Sequence, residues 1–211
     1  MRWLHLVGVT AVLGVGLSAS TMRAAEATHT ILFFGDSLTA GYGLDDPSRE
    51  AFPALIQQKL DAEHLPWRAV NAGLSGETTA GGLRRVDWVL RQPIDIFFLA
   101  LGANDGLRGI DPAVTQANLE AIVQRVRGKY PAAKIIVAGM EMSPTMGESF
   151  TRRYRVVFAE VARKAHATLL PFLLAGVGGQ PGLNQADGVH PTAAGYRVVA
   201  QTVWKSIRPL L

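Results

Sequence analysis

Ser37 lies at the end of the run Thr30-Ile31-Leu32-Phe33-Phe34-Gly35-Asp36-Ser37-Leu38-Thr39-Ala40-Gly41, where an apolar stretch gives way to a glycine-rich turn. A serine hydroxyl is a weak nucleophile at neutral pH and needs an adjacent base to take its proton. Near the other end of the chain, Asp187-Gly188-Val189-His190-Pro191 supplies a base in His190 and, three residues earlier, a carboxylate in Asp187. Across so short a turn the carboxylate can fold back onto the imidazole, hold it in one tautomer and stabilise the charge it acquires. Ser37, Asp187 and His190 are therefore a candidate catalytic triad for acyl transfer.

Attack on a carbonyl creates an oxyanion that must meet fixed donors, and losing one donor typically costs about 2.7–4 kcal/mol of barrier. Three donors are available on this reading. They are the amide of Ser37 itself, the N–H of Gly73 in Asn71-Ala72-Gly73-Leu74-Ser75-Gly76, and the Asn104 amide in Gly102-Ala103-Asn104-Asp105-Gly106. At Gly73 no side chain obstructs close approach. Each block has a bland reading when taken alone. Gly-Asp-Ser is common in turns, Asp-x-x-His suits a capping aspartate before a helix at Pro191, and Asn-Asp-Gly is a turn former. Only the combination makes chemistry the better explanation. Asp36 is read as orienting the nucleophile's loop through backbone hydrogen bonds.

These groups need a scaffold that brings distant segments to one edge. Short β-branched and aromatic runs alternate with stretches of helical period, which predicts parallel strands joined by helical crossovers. The expected strands are Ile31 to Phe34, Arg68 to Ala72, Ile94 to Leu101, Lys134 to Gly139 and Thr168 to Leu173. Most are continuously apolar, as strands covered on both faces should be. Helix starts are expected at Pro53, at Pro112 behind Asp111, near Ser149 and at Pro191. Leu119, Ile122, Val123 and Val126 share one helical face, and so do Phe150, Tyr154, Val157, Phe158, Val161 and Ala165. Open sheets of this kind gather their sites outside the carboxyl ends of the strands.

With 211 residues, of which 48% are hydrophobic and 18% charged, the chain can bury one good-sized core. The first residues read as an export signal: Arg2, an apolar stretch from Leu4 to Leu17 broken by His5 and Thr10, then small residues up to Ala27. Cleavage is expected after Ala27, leaving one domain over 28–211 in the periplasm or the medium. The apolar run is short of the roughly 20 residues a membrane-spanning helix needs. With no cysteine, neither a disulfide framework nor a thiol-linked lipid anchor is available. The net charge is +4, and removing Arg2, Arg23 and Glu26 lowers it by one. Ordinary solvated charge explains so mild an excess, although it also suits transient contact with lipid surfaces. No basic run interleaved with aromatics points to nucleic acid.

Four separated blocks, Gly35-Asp36-Ser37-Leu38, Asn71-Ala72-Gly73, Gly102-Ala103-Asn104-Asp105 and Asp187-Gly188-Val189-His190-Pro191, resemble those of the GDSL, or SGNH, hydrolases and occur in that family's order. Within the family the chain is similar to the bacterial thioesterase I, lysophospholipase and arylesterase branch. This is carried by Ser37-Leu38-Thr39-Ala40-Gly41-Tyr42, Gly106-Leu107-Arg108-Gly109 and Arg152-Arg153-Tyr154. The resemblance implies a flavodoxin-like α/β/α sandwich of three layers around a parallel sheet of about five strands. It also implies Ser37, Asp187 and His190 as triad, Ser37, Gly73 and Asn104 as oxyanion hole, and neither metal nor organic cofactor. The expected activity is hydrolysis of carboxylic esters and thioesters, including lysophospholipids, by a monomer.

Met142 to Thr151 looks a few residues longer than its counterpart in that branch, so acyl-chain preference is the property least safely carried over. Leu74, Leu107, Met142 and Phe150 are taken as the lining of an acyl groove, and Arg108 as an alternative contact for an acidic head group. The first rival reading is a carbohydrate O-deacetylase with the same triad. The second is a non-catalytic module whose first turn cradles phosphate. Against the second, the turn matches neither the dinucleotide nor the P-loop pattern and no lysine follows it.

Overall fold

The computed structural model describes residues 28–211, and the expected leader over 1–27 lies outside them. In chain order the elements are β1 (His29–Gly35), α1 (Ser37–Ala40), α2 (Pro47–Glu50), α3 (Phe52–Ala62), β2 (Trp67–Gly73), α4 (Thr79–Val89), β3 (Ile96–Ala100), α5 (Ala103–Leu107), α6 (Pro112–Lys129), β4 (Lys134–Ala138), α7 (Glu148–Lys164), β5 (Thr168–Leu170) and α8 (Ala193–Ile207). The five strands form one sheet in the order β2-β1-β3-β4-β5, every pair parallel. The order runs outward from β1 in both directions. Right-handed crossovers therefore carry the helices to opposite faces of the sheet.

One layer holds α3 packed on α8, and the other holds α4, α6 and α7 side by side. Alternation along the strands feeds both cores. Phe33 meets Phe52 of α3 edge-on at 5.4 Å between ring centroids and Phe98 at 5.3 Å, while Phe34 points the other way and lies 5.6 Å from Phe97. All five rings are fully buried. Burying each contributes about 1.5–3 kcal/mol, so β1 and β3 anchor the two layers to each other.

All five expected strands are present. The last ends at Leu170 rather than Leu173, because Pro171 has no N–H to continue the ladder. Helices begin at Phe52, Pro112 and Glu148, each within a residue of expectation. The final helix starts at Ala193 instead of Pro191, because Thr192 accepts the Gly195 N–H on its side chain and acts as the cap. Pro191 instead bridges to Asn184 in an antiparallel pair. α4 is not among the expected helices, because its Gly81-Gly82 pair lowers helix propensity. Tertiary packing outweighs that cost, since a Cβ on Gly82 would stand 2.3 Å from the Leu101 side chain.

Candidate active site

Sheet register sets the site. Gly35, the last residue of β1, pairs with Gly73 at the end of β2 and with Ala100 at the end of β3. The three strands finish level, and the segments bearing Ser37, Gly73 and Asn104 leave the sheet at one edge. That edge includes the point between β1 and β3 where the strand order reverses, the usual ligand position in such sheets. Ser37 is the first residue of α1, and Asp36 caps this single turn by accepting the Leu38 N–H at 3.0 Å. Asp36 thus has the orienting role expected of it. Gly73 packs so tightly on α1 that a Cβ there would lie 2.3 Å from the Ala40 nitrogen.

Ser37, His190 and Asp187 form one hydrogen-bonded line. Nε2 of His190 lies 2.8 Å from Ser37 Oγ, and Nδ1 lies 2.6 Å from Asp187 Oδ2. The other carboxylate oxygen of Asp187 accepts the Val189 and His190 N–H groups at 2.9 and 3.0 Å. Desolvation pushes the Asp187 carboxyl up, but the hydrogen bonds from the His190 ring and from these two amides outweigh it and leave its pKa at about 2. The carboxylate is therefore charged throughout the neutral range.

Gln185, which no sequence pattern marked, ties this loop to the nucleophile's. Its backbone N–H donates to His190 O at 2.7 Å, and its carboxamide donates to Tyr42 O at 2.8 Å and Pro191 O at 3.0 Å. The Tyr42 ring packs against the imidazole with centroids 4.8 Å apart.

The expected oxyanion donors differ in their present partners. Among the described residues the Ser37 N–H has no acceptor. The Gly73 N–H donates to the Asn71 carboxamide oxygen at 2.9 Å, and Asn71 in turn donates to Thr39 O at 2.9 Å. Asn104 Nδ2 donates to Glu77 O at 3.1 Å and approaches Asp36 Oδ2 at 3.4 Å. An anion at this edge would thus meet one free donor and two that hold internal acceptors.

Behind the donors lie three buried acids. Glu77 pairs with Arg85, whose guanidinium also donates to Ala72 O and lies 4.5 Å over the Phe34 ring. Asp105 accepts the Thr79 N–H at 2.8 Å and the Thr79 hydroxyl, on which Asn118 also donates. Asp36 is held up at a pKa of about 7 by complete burial, with repulsion from Asp105 and Glu77 adding to it against the lowering effect of the Leu38 N–H. The sequence does not reveal this network, because Thr79 and Asn118 become its partners only when α4 and α6 pack together.

The other described histidines, Arg108 and the arginines at the start of α7 do not join the reacting groups. His29 pairs with Asp95, and His64 and His166 are exposed just past the ends of α3 and α7. Arg108 donates to Gly76 O at 3.0 Å. Arg152, Arg153 and Arg155 pair with Glu148, Asp111 and Glu141. The four residues taken as an acyl lining are divided. Leu74 belongs to a groove of about 600 Å³ with Val70, Ala72, Trp88 and Val89, and Leu107 is exposed at the end of α5, whereas Met142 packs against Gly106 of α5 and Phe150 stacks on Tyr154 of α7. Among the described residues, no three His, Asp or Glu side chains cluster to hold a metal ion, and no helix is long and apolar enough to cross a membrane.

Residues 33–198 match the GDSL-like lipase/acylhydrolase family. Esterase TesA of Pseudomonas aeruginosa is 39% identical over 186 residues, covering 88% of this chain and 90% of that protein. The thioesterase 1/protease 1/lysophospholipase L1 of Escherichia coli K12 is 33% identical over 192 residues, covering 90% and 88%. The crystal structure of psychrotrophic esterase EstA from Pseudoalteromonas sp., inhibited by monoethylphosphonate, superposes with a TM-score of 0.78 at 32% identity over 86% of this chain and 97% of that one.

Proposed function

The chain belongs to the GDSL-like lipase/acylhydrolase family and hydrolyses ester bonds, and we propose that it is a serine esterase of carboxylic esters and thioesters working through an acyl-enzyme. The observation that carries this reading is the unbroken line from Ser37 Oγ through both nitrogens of His190 to Asp187, at 2.8 and 2.6 Å.

In the first half-reaction Ser37 Oγ attacks the carbonyl carbon while His190 Nε2 takes its proton, and Asp187 holds the imidazolium that forms. The oxyanion takes the free Ser37 N–H and draws the Gly73 and Asn104 donors away from Asn71 and Glu77. His190 then protonates the leaving oxygen or sulfur as its bond to the carbonyl carbon breaks. In the second half-reaction water, deprotonated by His190, attacks the acyl-Ser37 ester and releases the acid. Inhibition of EstA by a phosphonate is the behaviour expected of an activated serine and supports carrying the same chemistry to Ser37.

The substrates are aryl esters, acyl thioesters and lysophospholipids, a range that takes in the thioesterase and lysophospholipase activities named for the Escherichia coli relative. The working enzyme is one domain over 28–211, monomeric, exported to the periplasm or the medium after removal of 1–27, and in transient contact with lipid surfaces. Fluorophosphonate treatment followed by intact-mass and peptide analysis tests the mechanism: a single adduct on Ser37 is expected, and a chain that remains unlabelled overturns it. The same measurement reads the processed amino terminus. Faster turnover of acetylated sugars than of aryl or acyl esters would shift the substrate class to carbohydrate acetates.

A further inference from the structure

Three large apolar side chains stand half exposed on the segments that carry Ser37, Gly73 and Asn104: Tyr42, Leu74 and Leu107, at 54%, 50% and 54%. Their places in the chain divide them. Leu74 follows Gly73 and Leu107 lies three residues beyond Asn104, so both flank the oxyanion donors. Tyr42 alone flanks the base, its ring centroid 4.8 Å from that of His190 and tilted by 47°.

The Tyr42 backbone is held at both ends. Its N–H donates to Ser37 O at 3.1 Å, and its carbonyl accepts from Gln185. Among the described residues its hydroxyl has no partner, so an internal hydrogen bond does not account for the ring's position.

The reaction gives that position a meaning. To protonate the leaving group, His190 Nε2 must come within about 2.6–3.2 Å of the departing oxygen, directly or through one water. The body of the leaving group then lies on the imidazole side of the tetrahedral carbon, away from the oxyanion donors. Tyr42 is the large exposed ring on that side.

We propose that Tyr42 is the specificity-determining residue for the leaving group, receiving its aromatic or apolar portion on the exposed ring face while His190 protonates the departing atom. The proposal rests on the acyl-enzyme reading above. The step balances: the Ser37 Oγ–carbon bond forms, the carbon–oxygen bond of the ester breaks, and the Ser37 proton passes through Nε2 to the released alcohol. Once the alcohol has gone, Tyr42 has nothing to bind, so its effect is confined to acylation. A ring that only braced the imidazole would act on both half-reactions and on every ester alike.

The test compares benzyl butyrate with ethyl butyrate, which share one acyl-enzyme and differ chiefly in the ring of the alcohol. Tyr42→Ala is expected to lower kcat/KM for the benzyl ester about three- to tenfold more than for the ethyl ester, the scale of one aromatic contact. Tyr42→Phe should keep the parent's benzyl-to-ethyl ratio. Breakdown of the shared butyryl-enzyme, followed after mixing with an activated butyrate ester, should run at the parent's rate in both variants. An equal loss on both esters, or a slower breakdown in Tyr42→Ala, overturns the proposal in favour of a bracing role. A parent protein that forms no butyryl-enzyme overturns the acyl-enzyme reading itself.

Discussion

Ser37 Oγ and His190 Nε2 stand 2.8 Å apart although 153 residues separate them in the chain. Groups that act as a unit lose their effect together, not additively. Ser37→Ala and His190→Ala should each lower kcat for an aryl ester by about 10⁴–10⁶-fold, with the double variant no worse than the more damaging single one. Steady-state rates of the three variants, with thermal melts showing that each folds, check this. A double variant lower than either single by the product of their losses would mean that the two residues act independently.

Gly73 has no room for a side chain at the oxyanion edge, since an added Cβ would lie 2.3 Å from the Ala40 nitrogen. That nitrogen is backbone, so relief requires β2 and α1 to separate. Gly73→Ala should lower stability by about 1–3 kcal/mol through overpacking. It should also lower kcat at least tenfold, because the Gly73 N–H moves relative to Ser37. Calorimetry and initial rates test both parts; an unchanged kcat would remove Gly73 from the proposed oxyanion hole.

How far the site was legible in the sequence depended on whether a residue's partner was local. Asp187 and His190 are three apart, and Ser37 sits where an apolar strand meets a glycine turn, so composition and spacing marked them. The strands were legible because burial on both faces makes them continuously apolar. Gln185 was not marked, because its partners Tyr42 and Pro191 come together only through tertiary folding and a lone glutamine carries no local signal. The same holds for the Thr79–Asp105 contact and for α4, whose glycines argue against a helix until Leu101 packs on Gly82. A proline is a strong start signal and points to a final helix two residues early, at Pro191, whereas here Thr192 supplies the cap.

Asp36 gives stability a pH dependence of definite sign. In the unfolded chain its carboxyl ionises near 3.8, and in the folded chain near 7 because of its burial. Between these values the folded form keeps a proton that the unfolded form has lost, so this residue's contribution falls as pH rises from about 4 to 7 and its full cost remains above that. Asp36→Asn is neutral at every pH and can still accept the Leu38 N–H. Its melting temperature relative to the parent should therefore rise from pH 4 to pH 8, whatever constant offset its amide introduces beside Asn104. A difference that stays flat across this range would show that Asp36 is ionised in the fold throughout.

His166 follows the last turn of α7 in the left-handed region, at φ 48°. Its N–H donates to Arg163 O, and the next residue's N–H reaches back to Ala162 O at 2.9 Å, the paired hydrogen bonds that end a helix with a reversed residue. Glycine usually occupies this position, because an L side chain there meets the following carbonyl at a cost of about 1–2 kcal/mol. The His166 side chain is exposed, so its removal loses little packing. Glycine's greater freedom in the unfolded chain offsets part of the relief, which leaves His166→Gly more stable by about 0.5–1 kcal/mol. For a domain of this size that is about 1–4 °C in Tm, read by differential scanning calorimetry with activity unaltered. His64, at φ 53° after α3 with the same pair of bonds to Asp61 O and Leu60 O, should respond to glycine in the same direction. The two sites lie at the ends of separate helices, so the gains should add in the double variant. A fall in Tm at either site would show that the imidazole makes a stabilising contact there that outweighs the backbone strain.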